Sequence, residues 1–314
     1  MDLGQLKYFV KIVEHHSFTK AARDCSVSQP ALSQQIAKLE KELGQPLFER
    51  QGRTIQVTAA GSLLKDHADK ILRLVDDAKR QITDDGQTGQ ISIAAIPTIG
   101  PYLLPRLVDS LSQDFPAAKF VVSEEVTVDL LKSCSNGEIN VAVVALPAEA
   151  KYLSVEPLYR EELLLALPRD HRLCSEAEIH LSQLQEEPFI FLDEAHCLVE
   201  NIESFCNQQR FQPIVTALIH QLVTVQNLVA FGHGISFVPK MACDQNCGGR
   251  IVYRSLTGTK PYRTIALCFN PYRYQSQLLQ NLLKAIREQL SMGEFEPSAK
   301  HASLGKLNPI NFVQ

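Results

Sequence analysis

Cys197 and Cys206 stand nine positions apart, the first preceded by His196 and the second by Phe205. Two thiols at this spacing, the first near the start of a predicted helix, can form a reversible redox pair. A helix N-terminus or a neighbouring cation lowers a thiol pKa and raises its thiolate fraction. A thiolate attacks the O–O bond of a peroxide and becomes a sulfenic acid, and a second thiol then displaces water to give a disulfide. The spacing also sets a condition. In one continuous helix the two sulfurs stand roughly 13 Å apart along the axis, whereas a disulfide needs Cα atoms within about 7 Å. The segment must refold for the bond to close, and that refolding is a signal. The bland alternative is two buried cysteines in an ordinary core.

The other six cysteines (Cys25, Cys134, Cys174, Cys243, Cys247 and Cys268) are dispersed through the chain. In a reducing compartment any disulfide among them is more readily regulatory than structural. Cys243 and Cys247 have C-x₃-C spacing and could join His233, but no fourth ligand is evident, so neither a metal nor any cofactor is expected.

The chain that must position the thiols has 314 residues, which favours two or more domains. With 45% hydrophobic and 21% charged residues it fits a soluble globular protein. The net charge is −4, but residues 1–60 hold 8 Lys/Arg against 6 Asp/Glu, a local +2. That is a weak footprint for nucleic acid, so a DNA role must rest on a motif. No apolar run reaches about 18 residues, and the first residues lack a signal peptide's basic and apolar regions. A cytoplasmic protein without membrane contact is expected.

The motif is in the first sixty residues. Leu3, Leu6, Phe9, Val10 and Val13 recur at helical spacing over 3–15. Ser17 or Phe18 opens a second helix that includes Ala21 and Ala22. Ser28 caps a third, with Pro30 in its first turn. Leu32, Ile36 and Leu39 face inward, which leaves Ser28, Gln29, Pro30, Ser33 and Gln34 at the N-terminal half, where amides and hydroxyls can reach base edges. Residues 47–50 and 55–57 read as the strands of a wing, with Arg50 and Arg53 suited to phosphate or minor-groove contact. The alternative, a three-helix packing module, does not need exposed polar residues on the third helix or a basic wing.

Residues 18–22, 28–36, 39–40, 43–44, 47–50, 58 and 60–61, from Phe18-Thr19-Lys20-Ala21-Ala22 through Ser28-Gln29-Pro30-Ala31-Leu32-Ser33-Gln34-Gln35-Ile36 to Leu47-Phe48-Glu49-Arg50, resemble the head of a LysR-type transcriptional regulator. The resemblance implies a winged helix-turn-helix of all-α type (1–58), a dimerising linker helix and hinge (59–89), and a two-lobed α/β regulatory domain (90–292) of periplasmic-binding-protein type. Its Rossmann-like lobes are expected at 90–161 with 266–292, and at 162–265. It also implies a homodimer or homotetramer on double-stranded promoter DNA, with RNA polymerase as a further partner.

The intervening residues agree with that plan. Leu64, Ala68, Ile71, Val75, Ala78 and Ile82 form a heptad-like stripe over 58–83, suited to pairing with a second copy. From residue 90, strands and helices alternate: strands at 91–96, 120–125, 141–144, 163–167, 189–192, 235–239 and 265–269, helices at 105–115, 127–135, 197–209 and 223–232. Residues 293–314 read as a flexible tail. Thr98 and Thr127, at predicted helix starts by the lobe cleft, can donate hydrogen bonds to a ligand there or can simply cap their helices.

Residues 96–105, 195–198, 205–206, 232–235, 238–239 and 263–265 further resemble the hydrogen-peroxide-sensing members of the LysR family. By position, the resemblance implies that Cys197 is the peroxidatic cysteine and Cys206 the resolving one. Thr98, Thr127, His196 and Arg263 would build the peroxide pocket, together with Thr216, which replaces a histidine common in the family; His220 is close by in sequence. The implied protein is no enzyme. It is a peroxide-sensing activator of oxidative-stress genes, reset by thioredoxin or glutaredoxin. The alternative is a regulator answering a small metabolite in the interlobe cleft. A thiol peroxidase would have no use for the DNA-reading head.

Overall fold

The computed structural model describes residues 1–51, 54–193, 197–243 and 249–291. The head packs α1 (Leu3–His15), α2 (Phe18–Asp24) and α3 (Gln29–Leu43) around Leu6, Phe9, Ile12, Ala21, Leu32, Ile36 and Leu39. Ser17 and Ser28 cap α2 and α3 through their hydroxyls, and Gly44 ends α3 in the left-handed region. The antiparallel wing, β1 (Phe48–Gln51) and β2 (Thr54–Val57), is tied to α3 by Glu40, which accepts from the Leu47 and Phe48 amides at 2.7 and 3.2 Å.

Thr58 caps α4 (Ala59–Thr83), accepting from the Gly61 amide at 3.0 Å while its hydroxyl donates to the Pro46 carbonyl at 2.7 Å. Gly61 allows the close approach to the wing: a Cβ there would lie 2.4 Å from the Leu47 carbonyl oxygen. The apolar stripe of α4 divides. Leu64, Ala68, Ile71 and Leu72 pack on the head, whereas Leu63, Leu74 and Ile82 are exposed.

The regulatory part is α/β with two hydrophobic cores. Lobe I contains β3 (Gly89–Ala95), α5 (Gly100–Asp114), β4 (Ala118–Glu124), α6 (Thr127–Asn136) and β5 (Val141–Leu146); β3 pairs in parallel with β4 and β5. Strand β6 (Ser154–Pro168) leaves it. Lobe II contains β7 (Pro188–Leu192), α7 (Cys197–Gln208), β8 (Ile214–Ile219), α8 (Leu222–Ala230), β9 (Ser236–Pro239) and β10 (Ile251–Arg254). Strand β11 (Tyr262–Phe269) returns to lobe I, where α9 (Gln277–Ser291) packs on its core. The sheet order is β10-β6-β11-β5-β3-β4, with β9 also on β6 and with β7-β8 a separate parallel pair. Thus β6 and β11 are the two crossovers. They pair with each other over 154–162 and 262–269, and β6 then serves β9 and β10.

Several elements differ from the expectation. Helix α5 begins at Gly100 rather than Pro105 and runs through that proline. The burial of Leu103, Leu104, Leu107 and Leu111 outweighs the missing N–H. Strand β6 starts nine residues before the predicted 163, and β8, β10 and α9 were not expected. The predicted tail beyond 292 lies outside the described residues.

Lobe I grips the linker helix. Arg273 Nη2 donates to Asp77 Oδ1 at 2.7 Å, and Nε donates to Oδ2 of the same carboxylate. Arg73 Nη2 donates to Glu138 Oε1 at 2.8 Å. Asp84 accepts from the Tyr274 hydroxyl and the Gln277 amide at 2.8 and 2.9 Å.

Candidate functional site

Cys197 is the first residue of α7, and Cys206 lies on the same uninterrupted helix. Both thiols are free and buried, at 7% and 3% exposure. They belong to different cores. Cys197 packs into lobe I, together with Met241, although its helix otherwise serves lobe II. Leu198, Ile202, Phe205 and Cys206 pack in lobe II.

The Thr127 side chain and the Ala145 backbone lie close enough to the Cys197 sulfur to favour its thiolate, and Thr127 and Cys197 line the same groove. Burial nevertheless pushes the Cys197 thiol above its ordinary pKa. Thr127, the Arg263 charge and the Ala145 backbone pull it back, and Glu200 in the first turn of α7 adds slightly to the rise. Insertion into an apolar core thus outweighs the neighbouring groups that favour the thiolate. Burial, with Glu203 adding, pushes Cys206 up to about 11.

Arg263 is fully buried. Its Nη1 donates to Thr98 Oγ1 at 2.8 Å, its Nη2 to the Thr98 carbonyl at 3.1 Å, and its Nε to Glu161 Oε2 at 2.6 Å. Neither threonine is an N-cap. The caps of α5 and α6 are Ile99 and Val126, without side-chain cap bonds. Simple capping thus does not account for Thr98 or Thr127. Each meets a partner from a distant part of the chain instead.

Thr127, Val128, Leu131, Lys151, Glu200 and Cys197 line part of a groove of about 830 Å³. Thr216 is placed elsewhere. Val215 pairs with Phe189 and Ala217 with Ile190, so Thr216 is the extra residue of a bulge, and its hydroxyl donates to the Phe189 carbonyl at 3.2 Å. No hydrogen bond among the described residues joins it to Cys197. His220 Nδ1 meets the Asp193 carboxylate at the end of β7. His196, Arg53 and Cys247 lie outside the described residues. Among the described residues no cluster of metal-ligating side chains occurs, and the Cys243 thiol donates to the Pro239 carbonyl at 3.4 Å.

In the head, Ser28 Oγ accepts from the Ala31 amide at 3.3 Å, and Gln29 Nε2 donates to Ser33 Oγ at 3.2 Å. Ser28, Gln29, Pro30 and Gln34 are exposed at the start of α3, with Ser33 half-buried beside them. Arg50 is in β1; only its backbone is described.

Sequence reasoning missed Glu161, Met241 and Asn201. Glu161 Oε1 accepts from the Met241 amide at 2.7 Å, and Asn201 Nδ2 donates to the Cys197 carbonyl at 2.7 Å. Glu161 and Arg263 are 102 positions apart, so no local pattern connects them. The one sequence signal is a glutamate leading into the apolar run 163–167.

Residues 3–62 match the family described as "Bacterial regulatory helix-turn-helix protein, lysR family", and residues 84–291 match "LysR substrate binding domain". The DNA-binding transcriptional dual regulator OxyR of Escherichia coli is 35% identical over 305 residues, spanning 96% of this chain and all of that one. A full-length OxyR of Pseudomonas aeruginosa with a cysteine-to-aspartate substitution superposes with a TM-score of 0.75 at 28% identity, covering 92% of this chain and 94% of that one. A hydrogen-peroxide-bound cysteine-to-serine mutant of OxyR from Corynebacterium glutamicum gives a TM-score of 0.60 at 30% identity, covering 93% and 95%. With both halves of its fold matched and relatives aligned along nearly its whole length, this chain belongs to the LysR family of bacterial transcriptional regulators.

Proposed function

We propose that the protein is a hydrogen-peroxide-responsive transcriptional regulator. In this scheme residues 1–58 read promoter DNA, 59–89 pair two copies and 90–292 sense the oxidant. The Cys197 thiolate attacks one peroxide oxygen, the O–O bond breaks, and the second oxygen leaves as hydroxide to become water. Sulfur is oxidised to the sulfenic acid. The Cys206 thiol then attacks that sulfur, forming the disulfide and releasing a second water. Thr127 orients the sulfur, Arg263 stabilises its negative charge, and Thr98 fixes Arg263.

The observation that carries this reading is the division of the two thiols between lobes on one helix. Their bonding must withdraw at least one of them from its lobe, which links a small chemical event to a large rearrangement. The likeness to OxyR proteins along the chain supports it. Exposed Leu63, Leu74 and Ile82 on α4 support pairing with a second copy. A dithiol reductase of the thioredoxin or glutaredoxin type would reset the bond in a reducing cytoplasm, and RNA polymerase would read the rearranged complex.

The groove favours a second reading. Its volume of about 830 Å³ falls within the roughly 300–1,000 Å³ of small-molecule pockets, so a metabolite could be the signal instead. Footprinting on duplex promoter DNA separates the two. A small excess of peroxide changes the wild-type footprint and leaves that of Cys197→Ser unchanged. A wild-type footprint insensitive to peroxide but altered by a small organic acid supports the metabolite.

A further inference from the structure

We propose that Glu161 is a positioning residue for the oxidation of Cys197: it is the buried counter-ion of Arg263 and competes with the Cys197 thiolate for that one guanidinium. This rests on the peroxide reading. Glu161 and Arg263 are both buried, and the 2.6 Å bond between them occupies the Nε of the guanidinium while Thr98 takes the two terminal nitrogens. The other carboxylate oxygen, Oε1, is held at 2.7 Å by the amide of Met241, a residue inserted in the same core as Cys197. The carboxylate is therefore fixed from two sides and cannot turn away when a second anion forms.

The charges around the sulfur make the competition specific. Arg263 is the cation that stabilises the thiolate, and Glu200 on α7 opposes it. Lys132, Lys151 and Glu149, like Glu200, are at the exposed rim of the groove, where water screens them. Tyr159 lies near Glu161 and Arg263 with its hydroxyl buried and without a hydrogen-bond partner among the described residues, and burial keeps it protonated. Glu161 is thus the buried anion that partly offsets Arg263, whose charge still favours the thiolate. Two anions sharing one buried cation raise each other's energy. By holding Arg263, Glu161 adds to the burial that keeps the resting sulfur protonated, and the sensor stays quiet at low peroxide.

The test is the pH dependence of Cys197 oxidation by hydrogen peroxide, followed by intact mass. Glu161→Gln preserves shape and moves the inflection of the rate profile about one pH unit lower. Below the inflection the thiolate fraction rises about tenfold. Nucleophilicity falls with pKa by a Brønsted factor of about 0.4–0.5, so the rate rises about threefold. Glu161→Asp keeps the charge and the wild-type inflection. Because Glu161→Gln leaves a buried guanidinium unpaired, the neutral pair Glu161→Gln with Arg263→Gln is a second probe, and its inflection rises above wild type. A Glu161→Gln rate scaled equally at every pH, or a double variant with the wild-type inflection, overturns the proposal. If peroxide does not oxidise wild-type Cys197, the peroxide reading fails; the pH profile of iodoacetamide alkylation then still tests Glu161 with the same expected shifts.

Discussion

Cys197 and Cys206 share helix α7 yet are buried in different lobes. Nine residues of helix separate them by roughly 13 Å along the axis, about twice the Cα separation a disulfide tolerates. Cys197 is further held by its burial in the lobe I core. Bonding to Cys206 therefore requires both unwinding of α7 and the loss of a lobe-to-lobe contact. The resting arrangement is a spaced pair whose closure is costly, as a switch that must stay off without its signal needs to be.

Thr127→Val removes the hydroxyl donor to Cys197 and retains the side-chain volume. Hydrogen bonds to a charged group contribute about 1.5–3 kcal/mol, so thiolate formation becomes less favourable; after the Brønsted gain in nucleophilicity, oxidation slows by about three- to tenfold. Trapping of the sulfenic acid in a Cys206→Ser background measures this directly. An unchanged rate would remove Thr127 from the site.

The buried thiols give stability an alkaline edge. Burial pushes Cys134 and Cys268 up to about 12 in the fold, from an ordinary value of 9.0. Between these values the unfolded state has lost protons that the folded state retains, so stability is complete below about pH 9 and falls as pH rises towards 12. Each such thiol contributes a decline of about 1.4 kcal/mol per pH unit. Replacing both by alanine removes that part of the slope. Thermal unfolding from pH 8 to 11, compared between wild type and the double variant, should show a shallower decline in the variant.

Much of the head was legible because its signals are local. Ser28 and Gly44 mark the ends of α3, and the apolar residues recur at helical spacing. Strand β6 was half hidden because Arg160, Glu161 and Glu162 resemble a surface loop, although Glu161 is buried against Arg263. Strand β8 has an exposed face and a bulge at Thr216, which disguises its alternation and upset the placement of that residue. Thr127 lines the groove beside Cys197, while Thr98, Glu161 and Arg263 meet in one buried network from three different parts of the chain. The positions of Thr98, Thr127 and Arg263 could be transferred from a resemblance, but Glu161, the hydrogen bonds and the thiol's apolar surroundings could not.

Gly137 ends α6 in the left-handed region, at φ +77°, and a Cβ there would lie 1.5 Å from Arg273 Nη1. Gly137→Ala adds about 1–2 kcal/mol of backbone strain and displaces Arg273 from Asp77. The expected result is a lower Tm and weaker docking of α4 on lobe I. Arg273→Ala in the Gly137→Ala background should cost less than Arg273→Ala alone, because the same contact is already lost. Fully additive losses would show that the two residues do not interact.

The most direct test is peptide mass mapping after a small excess of hydrogen peroxide, paired with hydrogen exchange over residues 197–208. The account predicts a loss of two hydrogens assigned to a Cys197–Cys206 bond, together with lost amide protection along α7. Reduced cysteines under these conditions, or a 197–206 bond with α7 still fully protected, would contradict it.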